Sequence, residues 1–295
     1  MGCGSPLVAS TWRPLLGGEL ADRAWQAISV LGAALAEEPA RLAAAADGGP
    51  ADPTLATGEA GIALFLAQLA RARADGRLAE AARRRCARVI AGVPRARFHP
   101  GLFSGLLGVA WTLGEIAGRT IDLDCGHEAA AAEIDRALVR ILGRERLPWH
   151  HDLSGGLTGV GVYALERLPR PVARDCAALV GEHLRRTSEL HPAGRAWRTP
   201  PAPMPDADRG AGGFNLGMAH GIPAVLALLA AIAGGEADAG GMRQLLAEGV
   251  GWLLAQEQPP PAASRFSVLA GGGAAAGRSP LISLPGPRGA ETAPC

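Results

Sequence analysis

Four segments of the chain repeat one pattern, in which a pair of glycines three residues apart opens a run of about nine apolar residues. The pairs are Gly58 and Gly61, Gly105 and Gly108, Gly156 and Gly159, and, with alanine in the second place, Gly221 and Ala224. The first glycines of successive pairs are separated by 47, 51 and 65 positions. A period near 50 residues is typical of stacked structural repeats, each of which buries its apolar face against its neighbours.

An amphipathic segment follows each apolar run, and the helical period of these segments predicts helical hairpins. The amphipathic segments are Leu78–Val93, His127–Leu142, Pro171–Leu190 and Gly240–Gln256, and Glu19–Glu37 before the first repeat has the same period. One helix of each hairpin is apolar on most sides, whereas the other has a polar face. This difference predicts an all-α fold, the α/α toroid, in which an inner ring of apolar helices lies within an outer ring of amphipathic ones. The glycine loops then lie together at one end of the inner ring.

The composition divides the chain into three parts. Residues 1–18 form an N-terminal segment, and residues 19–258 contain the four repeats of the toroid domain. Residues 259–295 have no helical period and are rich in Pro, Gly, Ala and Ser, which predicts a disordered tail. Four hairpins predict an incomplete ring, and we expect the sequence to be truncated at its C-terminal side.

Charge and cysteine content exclude several classes of function. The net charge of +1 does not favour nucleic acid as a partner. No apolar run reaches the roughly 18 to 20 residues of a membrane span. The five cysteines are odd in number and widely scattered, which argues against a disulfide framework and favours a cytoplasmic protein.

His220 stands directly before the fourth glycine pair, at the mouth of the apolar run that Pro223 opens. Proline suits the first turn of a helix, because an N–H at that position would have no partner within the helix. We expect His220 to point into a cavity at the end of the inner ring. The alternative is a capping or core histidine whose ring nitrogens are satisfied by neighbours.

The third glycine loop carries His150, His151 and Asp152. An acid and a histidine at one pocket can serve as general acid and base, so Asp152 and His220 are the candidate catalytic residues. Asp152 has an alternative role as the N-cap of the helix that follows it. Since the two residues lie on equivalent loops of adjacent hairpins, we expect their side chains within roughly 12 Å, separated by substrate or water, direct contact being ~3 Å.

Other polar clusters are weaker candidates for a site. Cys125 and His127 lie close to Asp122 and Asp124, but this cluster opens an outer helix and lacks converging ligands for zinc. The segment 206–213 has two acidic residues without the spacing of a calcium loop and is interpreted as a mobile loop. His183 and His191, on or after an outer helix, are expected to be solvated.

The chain resembles the lanthionine synthetase C-like family, the cyclases of lanthipeptide biosynthesis. The resemblance rests on AHGIP within NLGMAHGIPAVLALL, on HDLSGGLTGVGVYALERLPRP, and on the repeated glycine openings, and it covers roughly residues 20 to 258. It implies an α/α toroid and a Michael-type addition, in which a cysteine thiol of a dehydrated precursor peptide attacks dehydroalanine or dehydrobutyrine and closes a thioether ring. It also implies that Asp152 and His220 deprotonate the thiol or protonate the enolate, and that a dehydratase is a second partner.

The resemblance further implies a zinc ion that activates the thiol, since metal coordination removes the thiol proton. Its ligands in the family are two cysteines and a histidine, from a Trp-Cys-x-Gly motif and a Cys-His-Gly motif. Neither motif occurs in this chain. We therefore expect no tight zinc site and an impaired cyclase.

Two other interpretations stay open at this point. The chain is a non-catalytic member that binds a peptide or a biosynthetic partner through the toroid face, or it is a different toroid enzyme such as a glycosidase or terpene cyclase. The last is the weakest, because toroid glycosidases line their cleft with aromatic residues and paired acids, whereas this chain is poor in aromatic residues. Terpene cyclases of this architecture need an acidic cluster on an inner loop, and the segment DADRG at 206–210 matches such a cluster poorly.

Overall fold

The computed structural model describes residues 14–37, 52–93, 99–123, 126–199, 213–235 and 241–270. Within these ranges the chain is mostly helical, with four short strands. The helices are α1 (Gly18–Ala36), α2 (Glu59–Arg73), α3 (Gly76–Gly92), α4 (Leu106–Arg119), α5 (His127–Leu142), α6 (Leu157–Glu166), α7 (Pro171–Thr187), α8 (Ile222–Ala233) and α9 (Met242–Leu254). The strands are β1 (Glu189–His191), β2 (Gly194–Ala196), β3 (Phe214–Asn215) and β4 (Leu269–Ala270).

The helices form two layers, as the alternation of apolar and amphipathic segments predicts. The inner helices α2, α4, α6 and α8 each follow a glycine loop, and each contacts the next in that order. Each is paired with the outer helix that follows it, α3, α5, α7 or α9, and α5 also contacts α7. Helix α1 packs on the first hairpin. No described helix has the length and apolar character needed to cross a membrane.

The inner helices pack closely because several of their positions lack a side chain. A methyl group at Gly161 of α6 would lie 2.4 Å from a Leu228 side-chain carbon of α8. Leu228 is buried in the larger of two apolar clusters, which contains residues from each of the helices from α4 to α9. The second cluster lies between α2, α3 and α4, with Leu66 and Ile116 fully buried.

Buried ion pairs join the layers. The Arg85 guanidinium donates to both carboxylate oxygens of Glu59, at 2.8 and 2.9 Å, and to the carbonyl of Leu35 at 2.7 Å. This contact ties α1, α2 and α3 together. Between α5 and α6, buried Asp135 accepts hydrogen bonds from Tyr163 and from Arg167, each at 2.9 Å. The acids need such partners, since an unpaired buried charge is strongly destabilising.

The strands were not predicted, and they change the expected picture in two places. Strands β1 and β2 form an antiparallel hairpin after α7, where the sequence pattern predicts that the helix continues to Leu190. Gly194 lets this hairpin approach α9, because a Cβ there would lie 1.9 Å from the carbonyl oxygen of Glu248.

The other change concerns the segment that was predicted to be a disordered tail from residue 259. Its residues 259–270 include β4, which pairs with β3 in antiparallel register, Phe214 opposite Ala270. The backbone N–H of Leu216 extends the pairing by donating to the Val268 carbonyl at 2.9 Å. Backbone groups need no apolar period to pair, so the composition of the tail did not reveal this contact. Residues 271–295 lie outside the described residues.

The prediction that His183 and His191 are solvated was wrong for His183 and holds only in part for His191, whose side chain is 26% exposed. His183 is buried, with Nε2 at 2.7 Å from the carbonyl oxygen of Leu142. The ring of His191 packs against Phe214 and Trp252, with centroid distances of 5.0 and 5.9 Å. The carbonyl that His183 contacts and the aromatic rings that His191 contacts lie on elements remote in sequence, which local periodicity cannot reveal.

Candidate functional site

Four loops of similar geometry lead into the inner helices, and we call them the inner loops: residues 52–58, 99–105, 150–156 and 215–221. Each ends at a glycine that is the N-cap of its helix, Gly58, Gly105, Gly156 or Gly221. In three of them the first helical N–H donates at 2.8 Å to the carbonyl of the residue that begins the loop, Asp52, His99 or His150. An N–H that has no partner within the helix is thereby satisfied.

Close backbone approach explains both glycines of the repeated pair. A Cβ at Gly105 would lie 2.0 Å from the His99 carbonyl oxygen, and one at Gly108 would lie 1.8 Å from that of Leu102. The equivalent glycines of the first and third loops meet the same obstruction. The glycine pair therefore marks a loop that folds back onto the first turn of its own helix.

Backbone hydrogen bonds between the inner loops hold them side by side. Ala56 donates to Phe103 at 2.9 Å, and Phe103 donates to Ser154 at 3.1 Å. Leu153 of the third loop donates to Ala219 of the fourth at 3.2 Å. The four loops thus form one continuous rim at the N-terminal ends of the inner helices, and polar side chains from neighbouring hairpins meet there.

Asp152 and His220 meet on this rim. The Nδ1 atom of His220 lies 2.9 Å from Oδ2 of Asp152, a hydrogen bond between residues on adjacent loops. Their proximity agrees with the predicted limit of roughly 12 Å, but the expectation of substrate or water between them was wrong. The loops are bonded to each other directly, so no gap is left between the side chains.

The second oxygen of Asp152 holds its own loop in shape. Oδ1 accepts a hydrogen bond from the Gly155 N–H at 2.7 Å. The alternative role of Asp152 as the helix N-cap was wrong, because Gly156 occupies that position. Burial by itself raises the pKa of the Asp152 carboxyl, but the hydrogen bonds from His220 and Gly155 and the nearby imidazoles outweigh this effect and lower the pKa. The carboxylate is therefore ionised at neutral pH.

An ionised carboxylate only accepts hydrogen bonds, so Nδ1 of His220 is the donor in this pair. In the neutral ring Nε2 is then free to accept a proton. The side chain of His220 is 58% exposed, whereas that of Asp152 is 11% exposed. The prediction that His220 points into a cavity, and its alternative as a core or capping histidine, were both wrong: the ring lies on the open surface of the rim.

Three further histidines lie on or beside this part of the rim, and none was predicted to belong to the site. Nδ1 of His150 lies 3.9 Å from Oδ2 of Asp152, and the His150 side chain is 45% exposed. His151 is buried, with an exposed fraction of 4%. Its burial, together with the neighbouring His150, lowers the pKa of His151 to about 4, against the opposite effect of Asp152. The third is His99, whose position six residues before Gly105 matches that of His150 before Gly156.

The described cysteines do not fit a zinc site. Cys86 and Cys176 form no disulfide, and they are buried in different apolar clusters. Burial and the nearby Asp135 and Asp175 raise the pKa of the Cys176 thiol to about 12, which opposes the thiolate form that zinc binds. Among the residues that the structure describes, no group of three or more His, Cys, Asp and Glu side chains is arranged to hold a metal ion.

Some predicted clusters cannot be located. Cys125 and Asp124 lie outside the described residues, so the proposed cluster with His127 stays untested, as does the loop beginning at Asp206. Cys3 and Cys295 are likewise not described.

Comparison with known proteins agrees with the resemblance seen in the sequence. Residues 49–245 match the sequence profile of the family described as lanthionine synthetase C-like protein. Among solved structures, nisin cyclase is similar to the chain, with a TM-score of 0.62 and 15% sequence identity. The match covers 86% of this chain and 62% of the nisin cyclase chain. A comparison with curated proteins found no match.

At 15% identity the likeness to nisin cyclase shows the fold, and it confirms the predicted α/α toroid. This chain spans less than two thirds of the length of that protein. The profile match covers all four inner loops.

Proposed function

The chain belongs to the lanthionine synthetase C-like family, and from that premise we propose that it binds a dehydrated peptide at the rim of the inner loops. There it promotes the addition of a cysteine thiol to dehydroalanine or dehydrobutyrine, which forms a thioether. The observation that carries this proposal is the 2.9 Å hydrogen bond between His220 and Asp152. It gives an exposed imidazole a fixed proton on one nitrogen and a free lone pair on the other.

In the proposed reaction Nε2 of His220 accepts the thiol proton. The sulfur forms a bond to the β-carbon of the dehydro residue, and the electron pair of its C=C bond moves to the neighbouring carbonyl oxygen. The enolate then takes a proton at Cα from the imidazolium, so the thiol proton is transferred overall and no oxidant is needed. Asp152 holds the Nδ1 proton of His220 and stabilises the imidazolium between the two steps.

The family resemblance implies a zinc ion, but the described residues do not fit its site, and no step is derived through it. A thiol with its ordinary pKa of ~8.5 is only a few per cent thiolate at neutral pH. We therefore expect this chain by itself to be a slow cyclase.

The proposed partners are a dehydrated lanthipeptide precursor and the dehydratase that prepares it. A cytoplasmic location belongs to the same proposal, because the described cysteines Cys86 and Cys176 form no disulfide, as is usual in reducing compartments.

The test uses a synthetic peptide with one cysteine and one dehydroalanine, with thiol loss followed over time. We expect the wild-type chain to exceed the uncatalysed rate and the variants H220Q and D152N to lose roughly 100-fold of that excess, the usual contribution of a general base. The exposed outer-helix variant E182Q is the control and keeps the wild-type rate. Binding of the peptide by the wild type without any thiol loss would overturn the catalytic proposal and favour the alternative of a non-catalytic peptide-binding protein.

A further inference from the structure

The first residue of every inner loop makes the same side-chain contact. Its side chain accepts a hydrogen bond from the backbone N–H two residues further on. The acceptors are Asp52 Oδ1 at 2.9 Å, His99 Nδ1 at 3.1 Å, His150 Nδ1 at 3.4 Å and Asn215 Oδ1 at 2.7 Å. This contact closes the turn that begins the loop.

The turn requires an acceptor, but it does not require an imidazole. Asp52 supplies a carboxylate oxygen and Asn215 an amide oxygen for the same purpose. The residues of the second and third loops are both histidines. The backbone contact therefore does not explain why these two positions carry imidazole rings. It uses only Nδ1 of His99 and of His150, so Nε2 of each ring can serve another role.

The contact also decides which nitrogen of each ring carries the proton. Nδ1 of His99 and of His150 accepts from a backbone N–H, so in the neutral ring the proton is on Nε2. His220 has the opposite arrangement, because its Nδ1 donates to Asp152. The rim therefore combines one imidazole whose Nε2 accepts with two whose Nε2–H groups donate.

Both donor rings border the pair of Asp152 and His220. Nδ1 of His150 is 3.9 Å from Oδ2 of Asp152. The ring of His99 lies over Gly155: a methyl group there would be 3.4 Å from Cε1 of His99 and 4.0 Å from both His99 Nε2 and Asp152 Oδ1. His99 and His150 are both exposed, so a ligand can reach the two rings without a change in the fold.

We propose that His99 and His150 are substrate-binding residues whose Nε2–H groups donate hydrogen bonds to a carbonyl oxygen of the peptide held beside Asp152 and His220. The identity of that peptide rests on the proposed function. In the addition step the electron pair of the C=C bond moves to the carbonyl oxygen of the dehydro residue as the sulfur–carbon bond forms. Two N–H donors stabilise the negative charge on that oxygen, which is discharged when Cα takes its proton.

The first test measures the ring protons directly and does not depend on activity. Two-bond ¹H–¹⁵N correlation spectra of the full chain at neutral pH report the tautomer of each histidine. We expect the Nε2–H form for His99 and His150 and the Nδ1–H form for His220. The Nδ1–H form at either of the first two residues would overturn the proposal.

The second test uses substitutions that separate two roles of the side chain, accepting the hydrogen bond that closes the turn and supplying an imidazole ring. The variants H99N and H150N keep an acceptor of the kind that Asn215 supplies, so they should unfold at the wild-type urea midpoint, whereas H99A and H150A should be less stable. The probe is the cysteine–dehydroalanine peptide and its unreactive analogue with serine in place of cysteine. We expect each asparagine variant to bind the analogue roughly three- to tenfold more weakly, the effect of one hydrogen bond, and to cyclise the reactive peptide at least tenfold more slowly.

The outcomes distinguish this inference from the proposed function. If the asparagine variants bind and cyclise like the wild type, the inference is wrong and the proposed function stands. If the wild type does not cyclise the peptide but its binding of the analogue depends on His99 and His150, the inference stands and the proposed reaction is wrong. If the wild type does not bind the analogue, or binds it independently of both rings, the inference is overturned.

Discussion

Leu216 donates its backbone N–H to the carbonyl of Val268 at 2.9 Å, which joins the loop that carries His220 to a segment more than fifty positions later in the chain. Asn215, next to Leu216, holds the first turn of that loop through its bond to Gly217. Residues 268–270 therefore support the loop from outside, and the position of His220 depends on them.

We predict that the substitution V268P loosens the loop of His220. Proline keeps the acceptor carbonyl, but it fixes φ at position 268 and restricts Ser267, which distorts the backbone that presents this carbonyl to Leu216. Loss of one hydrogen bond worth about 0.5 to 1.5 kcal/mol should speed amide exchange at Leu216 by roughly two- to tenfold. Hydrogen-exchange mass spectrometry measures this change. V268A keeps the backbone pairing and serves as the control, and equal exchange in the two variants would contradict the support that we assign to β4.

The glycine pair leads to a prediction about stability. In G105A the new methyl group would lie 2.0 Å from the His99 carbonyl oxygen, a backbone atom that cannot move away alone. We expect a loss of about 2 kcal/mol or more, as for other overpacked sites. The control on the same helix is G114A, where a Cβ meets nothing within 4 Å; it should gain about 1 kcal/mol from helix propensity. Urea unfolding compares the two, and a G105A protein as stable as G114A would show that the loop has another way to close.

Stability should fall in mild acid because of His151. Its pKa is about 4 in the folded chain, below the ordinary value of 6.5, so as the pH falls through this window the unfolded state binds a proton first. The contribution of His151 to the free energy of unfolding therefore has its full value above about pH 6.5. It falls by about 3 kcal/mol as the pH drops towards 4. Urea unfolding of H151F across this range should show a flatter pH dependence than wild type. Parallel curves for the two proteins would mean that His151 is not the group responsible.

Zinc binding can be tested directly. A zinc site needs three or four protein ligands, and the described cysteines are buried in separate apolar clusters. We predict that the purified 295-residue chain retains much less than one zinc per chain after dialysis. Elemental analysis measures this ratio. About one retained zinc per chain would show that ligands were missed, and Cys125 with His127 would be the first to substitute.

The sequence alone determined the helices and their arrangement in layers. Helical period and the glycine pairs predicted the amphipathic segments, and the predicted range His127–Leu142 coincides with α5. The same repeat placed Asp152 and His220 on neighbouring loops at one end of the inner ring. These features are local or periodic, so the order of residues along the chain is enough to predict them.

Tertiary structure decided the contacts between the loops. Backbone bonds such as Leu153 to Ala219 bring Asp152 into direct contact with His220, and they leave His220 on the surface rather than in a cavity. No periodic pattern encodes these bonds, because backbone N–H and C=O groups are present at nearly every residue.

The strands and the further histidines were missed for a related reason. Strands β3 and β4 have two residues each, too few for a period of two to appear in the sequence. The environment of His99 and His150 depends on which ring nitrogen meets a backbone N–H and on which loop lies beside the ring. The residue types of the site were visible in the sequence, but their protonation, exposure and neighbours follow from distances that only the folded chain sets.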